Sequence, residues 1–323
     1  MSLPLPPPTD GPFGPYEEPP APLFLGLPAP VRRSWWVEWG RNAVLFVLTA
    51  LSVYATQAFW WGGGHRDGLM MMAALMSILL AHEMGHYLAC RYYRVDATLP
   101  FFLPVPVISL VGTLGAFIRI RSRFPNRRAL FDIGIAGPLA GFAVCLPVLF
   151  LGIQEARVLP TPSDPSLMEF SDPLLIQWMV SWLKGTIPEG RTVFIGPLGL
   201  AAWFGLLVTA LNLIPVGQLD GGHVTYALFG RRADALSRFV WWISVALILL
   251  SPSWIVWTIL LRVLGRSHPP TWDDRTPLGV PRILVAVLGL AVFALCFVPS
   301  PFANSWPQLT AGLRDLLGGL TSR

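Results

Sequence analysis

Residues 69–93 read LMMMAALMSILLAHEMGHYLACRYY. No charged residue interrupts Leu69 to Ala81, and Arg91 and Arg94 close the run. An apolar stretch of this length is read as a membrane-crossing helix. Inside it stand His82, Glu83 and His86. A charged residue at the centre of such a helix costs about 2.5–3.5 kcal/mol on insertion scales. Three polar residues within five positions therefore need compensation, and a metal ion supplies it. Residues i and i+4 share one helical face, so the imidazoles of His82 and His86 can hold one Zn2+ at about 2.0–2.1 Å each. Glu83 then projects beside the ion, where it can take a proton from a bound water. A polar cluster packed in the bundle is the bland alternative, and it leaves the burial cost unexplained.

The rest of the chain agrees with a membrane setting. Of its 323 residues 54% are hydrophobic and 13% charged, about half the roughly 25% charge of a soluble domain. Net charge is +5, and Lys184 is the only lysine. Arginines flanking helices on the cytoplasmic side account for that charge better than nucleic-acid binding does. Cys90, Cys145 and Cys296 fall in or beside apolar segments, which fits buried packing residues and not a disulfide framework.

Read outward from the motif, the pattern predicts an all-α polytopic membrane protein. It has about six transmembrane helices and a re-entrant extended or β-hairpin segment. Residues 1–30 carry eleven prolines and are expected to be a disordered cytoplasmic tail, with no cleavable leader. The first transmembrane helix lies within 31–66, from about Asn42 to Trp61, bracketed by tryptophans. Trp61 to Gly68 reads as a turn. Residues 67–230 are expected to form the catalytic membrane core.

Within that core, 97–118 is apolar but broken by Pro100, Pro104 and Pro106. Extended or hairpin structure is predicted there, re-entering from the cytoplasm. The arginines from Arg119 to Arg128 should stay inside. A third span is expected over Ala129–Ile153, with Gly134, Gly137 and Gly141 allowing close helix packing. The acidic loop 154–195 fits the outside, with a short amphipathic helix over Leu174–Leu183. A fourth span runs from Gly196 to Ile214. Residues 231–300 hold the C-terminal membrane helices. The stretch 239–265 is broken at Ser251-Pro252-Ser253, and the arginines after it favour a short helical pair over one kinked span. A last span covers Ile283–Val298, and 301–323 reads as an interfacial tail.

A catalytic zinc takes three protein ligands and keeps one position open. Buried acids are few. Asp132 opens the third span and could cap it. Asp220, followed by Gly221 and Gly222, lies at a depth similar to the HExxH motif and is the best candidate; its competing role is to cap the next helix. His223 is a weaker candidate. Asn212 is a buried amide that could bind a substrate strand or steady a developing oxyanion. Gly112 and Gly115 lie where strand edges could hold an extended substrate.

The combination of HEMGH (82–86), GTLGAFI (112–118), AGPLAGF (136–142) and NLIPVGQLDGG (212–222) resembles the site-2 protease family of intramembrane zinc metalloproteases. The resemblance covers about residues 70–230. It implies a six-span core, one Zn2+ held by His82, His86 and Asp220, Glu83 as base, and cleavage of membrane-spanning segments of other proteins. RSHPPTWDDRTPLG (266–279) is similar to the bacterial and plastid branch. Gly141 stands where many relatives carry Asn, and Gly217 where many carry a second Pro, so those roles do not transfer. The expectation is of a chain without a PDZ-like domain in its outer loop or a CBS-like pair after its last span.

The expected partners are single-span membrane protein substrates and the lipid bilayer, without nucleic acid. The expected location is the cell inner membrane, with the N-terminus and the active site on the cytoplasmic side. Three rival readings are weaker. A CAAX-type zincin needs a later Glu, and no Glu follows Glu189. A zinc transporter needs several sites along a path. An inactive scaffold has no use for Glu83.

Overall fold

The computed structural model describes residues 35–161, 169–265 and 268–303. The Pro-rich tail 1–30 lies outside them, as does the expected interfacial tail beyond Ala303. Among the described residues three helices are long and apolar enough to cross a membrane: Trp39–Trp60, Gly64–Tyr92 and Arg127–Glu155. The first comprises α1, Trp35–Ala55, and a π-helical turn, Thr56–Trp60. The second, α2, starts at Gly64, so most of the expected Trp61–Gly68 turn is already helical. Only 61–63 make the reversal, with Gly62 at a φ of 70°.

After α2 the prolines act as expected. Strands β1, Phe101–Pro104, and β2, Thr113–Phe117, pair antiparallel, with Phe101 opposite Phe117 and Phe102 opposite Ala116. The hairpin docks on α1. Asn42 Nδ2 donates to the Leu99 and Pro100 carbonyls at 2.8 Å each. Ser52 Oγ donates to the Gly112 carbonyl at 2.6 Å. A Cβ at Gly112 would sit 2.6 Å from the Ser52 carbonyl oxygen, so this crossing admits only glycine.

Helix α3, Arg127–Glu155, tolerates Pro138 and Pro147 in its interior. Asn126 caps it, its side-chain oxygen accepting from Ala129 N at 2.9 Å. Asp132 does not cap it, contrary to the sequence reading. It lies further along the helix and forms an ion pair with Arg282, whose Nε and Nη2 donate at 2.9 and 2.6 Å.

The described residues of the 154–195 segment are more structured than a polar loop. Strand β3, Arg157–Pro160, is followed by β4, Glu169–Phe170, and the predicted amphipathic helix α4, Leu174–Lys184. Strand β5, Arg191–Phe194, then pairs with β3. Helices α5, Pro197–Asn212, α6, Asp220–Phe229, α7, Ala233–Leu247, and α8, Ser253–Leu264, come next. The stretch 239–265 is thus a helical pair. Helix α9, Val280–Cys296, precedes β6, Phe302–Ala303, which pairs with β4.

The described residues are mostly helical, with three helices of membrane-crossing length and small two-stranded sheets among them. Helices α2, α3, α5 and α6 pack together around a core containing Ile78, Leu130, Ile133, Leu149, Trp203 and Leu206. The three cysteines are buried and unbridged. Large apolar side chains on α1 and α9, among them Val44, Leu51, Leu284 and Leu290, face outward. In lipid such exposure costs nothing, and in water it would be an aggregation surface.

Candidate metal centre

Two elements supply the donors. Helix α2 presents His82, Glu83 and His86, all buried. The first residue of α6 presents Asp220. Neighbouring elements meet in this small volume because glycines remove side chains at their contacts. A Cβ at Gly137 of α3 would lie 2.0 Å from His86 Nε2. Cβ atoms at Gly221 and Gly222 would lie 2.1 and 2.2 Å from the carbonyl oxygens of Leu213 and Gly217. The two glycines after Asp220 therefore let the 213–219 turn fold back on the start of α6. No side-chain cap bond is made at that start, so the carboxylate is left to face the imidazoles.

The donor atoms form a near-equilateral triangle. His82 Nε2 and His86 Nε2 are 3.3 Å apart. Asp220 Oδ2 is 3.3 Å from the first and 3.2 Å from the second. Tetrahedral bonds of 2.0–2.1 Å separate neighbouring ligand atoms by about 3.3 Å, so the spacing fits one zinc ion. The chemistry fits too. His86 Nδ1 lies 2.7 Å from the Ile133 carbonyl oxygen, which can only accept. Nδ1 therefore carries a proton, so in the neutral ring Nε2 is the lone-pair atom, and it points at the triangle. Such an outer hydrogen bond is the usual way a ligating imidazole is oriented. Among the described residues this is the one group of three or more His, Cys, Asp or Glu able to hold a metal.

The site opens into a cavity of about 130 Å³ whose walls include Glu83, Asn212, Gln218 and His223. Asn212 Nδ2 lies 3.3 Å from His82 Nε2, beside the metal position. From the hairpin come Ala116, Ile118 and Ile120, alternate residues at the end of β2 and just beyond it. Gly112 and Gly115 are not on this wall. Gly112 packs on α1, and nothing lies near the Cβ position of Gly115.

His223 is held from behind. Its Nδ1 lies 2.7 Å from His268 Nε2, and His268 Nδ1 lies 2.7 Å from the Pro269 carbonyl oxygen. The carbonyl can only accept, so His268 donates from Nδ1 and accepts at Nε2. His223 then donates from Nδ1 and turns its other ring edge away from His268. Tyr226 stacks on His268 at 4.5 Å between ring centroids. The far end of α6 is also tied: Arg127 Nε and Nη2 each donate at 2.7 Å, to the Ala227 and Leu228 carbonyls. Tyr226 donates its hydroxyl to Asp274 at 2.9 Å. Burial pushes the Tyr226 hydroxyl up to about 12, and that hydrogen bond adds to the shift. The sequence reading assigned no role to His268, Arg127 or Gln218. Only a histidine in the polar, proline-rich 266–279 stretch could have pointed to the first.

Comparison with known proteins follows the same residues. The model of Peptidase family M50 matches residues 70–251, more than half of the chain. A probable zinc metalloprotease EGY2, chloroplastic, of Oryza sativa subsp. indica is 32% identical over 253 residues, covering 76% of this chain and 45% of that protein. A probable zinc metalloprotease EGY1, chloroplastic, of Arabidopsis thaliana is 31% identical over 238 residues, 72% of this chain and 43% of that protein. The chain thus spans less than half the length of these relatives. The solved site-2 protease from Methanocaldococcus jannaschii aligns over 78% of this chain and 86% of its own, at 14% identity and a TM-score of 0.33.

Proposed function

The chain belongs to Peptidase family M50, and we propose that it is an intramembrane zinc metalloprotease cutting the transmembrane segments of other proteins. The observation that carries this reading is the convergence of His82, His86 and Asp220, whose donor atoms lie within 4.8 Å of one another, with Glu83 lining the same cavity. His82, His86 and Asp220 are the ligands in this reading. Zinc held by them supplies Lewis-acid polarisation of the scissile carbonyl and a water of lowered pKa.

The remaining steps belong to the chain. Glu83 takes the proton of the attacking water and returns it to the leaving amide nitrogen. Asn212, beside His82, donates to the oxygen on which charge develops. The substrate lies extended along the free edge of the hairpin, next to Ala116 and Ile118, where main-chain pairing holds it open. Gly112 and Gly115 serve that strand indirectly, by letting the hairpin seat on α1 and turn. Residues 67–230 form the catalytic unit. About six spans lie in the bilayer, the α7–α8 pair counting as one that enters and returns on the same side, and the 97–118 hairpin re-enters it without crossing. The substrates are single-span proteins of the cell inner membrane. The N-terminus and the metal lie toward the cytoplasm, so cysteines placed at Arg123 or Arg275 of a Cys-free variant resist an impermeant thiol reagent applied from outside.

Zinc analysis of the purified full chain tests the reading. Wild type should hold one zinc per chain, and His82→Ala should hold almost none. Equal zinc in the two would remove the basis for a metalloprotease.

A further inference from the structure

A second cavity, of about 410 Å³, lies between α7 and α8. Arg238 and Arg262 line it together with Asp234, Ser237, Trp241 and Trp242. Neither guanidinium makes a hydrogen bond or ion pair among the described residues. The two helices are bound to each other by Trp241 Nε1 donating to the Thr258 carbonyl at 3.1 Å and Thr258 Oγ1 donating to Ser244 Oγ at 3.1 Å. A short turn joins them, so the start of α7 and the end of α8 lie at one end of the pair. Arg238 and Arg262 are both at that end.

The opposite end is apolar. Leu249 and Leu250 at the turn are exposed, as are Phe239, Ile243, Val256 and Ile259 along the pair. At 1.5 Å per residue the helices span about 22 and 18 Å, short of the roughly 30 Å hydrocarbon core. The pair therefore dips into the bilayer from one side, with its turn in hydrocarbon and its arginines at headgroup level. Two guanidinium groups against the single carboxylate of Asp234 leave the cavity net positive. Trp241, Trp242 and Leu261 supply its apolar wall, suited to the start of acyl chains.

We propose that this cavity binds the headgroup phosphate of an anionic phospholipid, with Arg238 and Arg262 as its phosphate contacts. A zwitterionic lipid brings its own cation and gains less from the excess positive charge. The site also touches the metal-bearing turn. Val216 forms part of its wall, and Ser237 Oγ donates to the Pro215 carbonyl at 3.1 Å and accepts from Gly217 N at 3.4 Å. A bound lipid thus braces the segment between Asn212 and Asp220.

The test is native mass spectrometry of the full chain released from phosphatidylcholine nanodiscs containing a minority of phosphatidylglycerol. The readout is retained lipid, independent of any proteolysis. Wild type should retain phosphatidylglycerol over phosphatidylcholine. The double variant Arg238→Gln, Arg262→Gln should lose that retention about tenfold or more. Asp234→Asn should increase retention, an opposite sign that misfolding cannot produce. Unchanged retention in the double variant, or no preference between the lipids in wild type, would overturn the proposal. So would displacement of phosphatidylglycerol by inorganic phosphate at matched ionic strength, which would make this a site for the free anion.

Discussion

Asp220 Oδ2 lies 3.2 Å from His86 Nε2, although 134 residues separate them in the chain. His86 donates its Nδ1 proton to the Ile133 carbonyl, so in the neutral ring that metal ligation requires, the Nε2 lone pair faces the carboxylate. Two acceptors at this distance repel each other unless a proton or a metal cation stands between them, and His82 Nε2 completes the same triangle. The burial of His82, Glu83 and His86 around it makes that cation more necessary, because a buried carboxylate without a partner is expensive.

Removing one corner should release the metal. Asp220→Ala should lower zinc occupancy by at least tenfold. Asp132→Ala should leave zinc intact, since its carboxylate is engaged with Arg282 and Tyr93. Zinc content of both purified variants checks this, and equal loss in the two would move the third ligand away from Asp220.

Glu83→Gln separates binding from chemistry. Glu83 is placed as base and not as ligand, so zinc content and thermal stability should stay near wild type. Cleavage should fall by about 10²–10⁴-fold, the usual worth of a positioned general base. Residual turnover above a few per cent of wild type would contradict the assignment.

Gly137→Ala tests the close packing. The added Cβ would fall 2.0 Å from His86 Nε2, so either α3 or the imidazole must move. Overpacking of this kind costs about 1–3 kcal/mol. The variant should lose zinc affinity as well as stability. Retention of wild-type zinc affinity would mean that the ligand position tolerates a helix shift.

His268 orients His223 through a single hydrogen bond, so its effect should depend on an acceptor and not on bulk. His268→Phe keeps a ring against Tyr226 but leaves the His223 Nδ1 proton unpaired. It should keep zinc while lowering thermal stability by about 1–3 kcal/mol, the cost of a buried donor left unmade. His268→Gln restores an acceptor and should recover part of the loss. Equal stability in the two variants would reduce His268 to packing.

What the sequence made legible and what it hid follow from the range of the interactions. His82, Glu83 and His86 are local neighbours on one helix, and the i, i+4 rule alone brings the two histidines together. The prolines at 100, 104 and 106 exclude a helix locally, and a hairpin forms there. Asp220 is more remote, but its depth and its two glycines mark it. Asp132 was misread because a helix-start acid looks like a cap, whereas its partner Arg282 lies 150 residues away. The His223–His268 bond and the Arg127 clamp on α6 likewise depend on tertiary contacts that leave no periodic trace. Strands of two to four residues in the 154–195 segment are too short to announce themselves by alternation.

The central claim is that these residues cut a peptide bond inside a membrane span. The motif centre lies about 10 Å from the helix end at Arg91, where a soluble loop cannot follow without carrying polar backbone into hydrocarbon. The most direct measurement is the mass of the products formed from a single-span substrate reconstituted with wild-type protein and zinc. Both new termini should map within the apolar span, near its cytoplasmic end, and replacing Gly, Pro or Asn there with Leu should slow the cut strongly. With Glu83→Gln these products should fall by about a hundredfold or more. Termini in a soluble flank, an all-Leu span cut as fast as the native one, or the same products from the Glu83 variant at more than a few per cent of the wild-type yield would contradict the account.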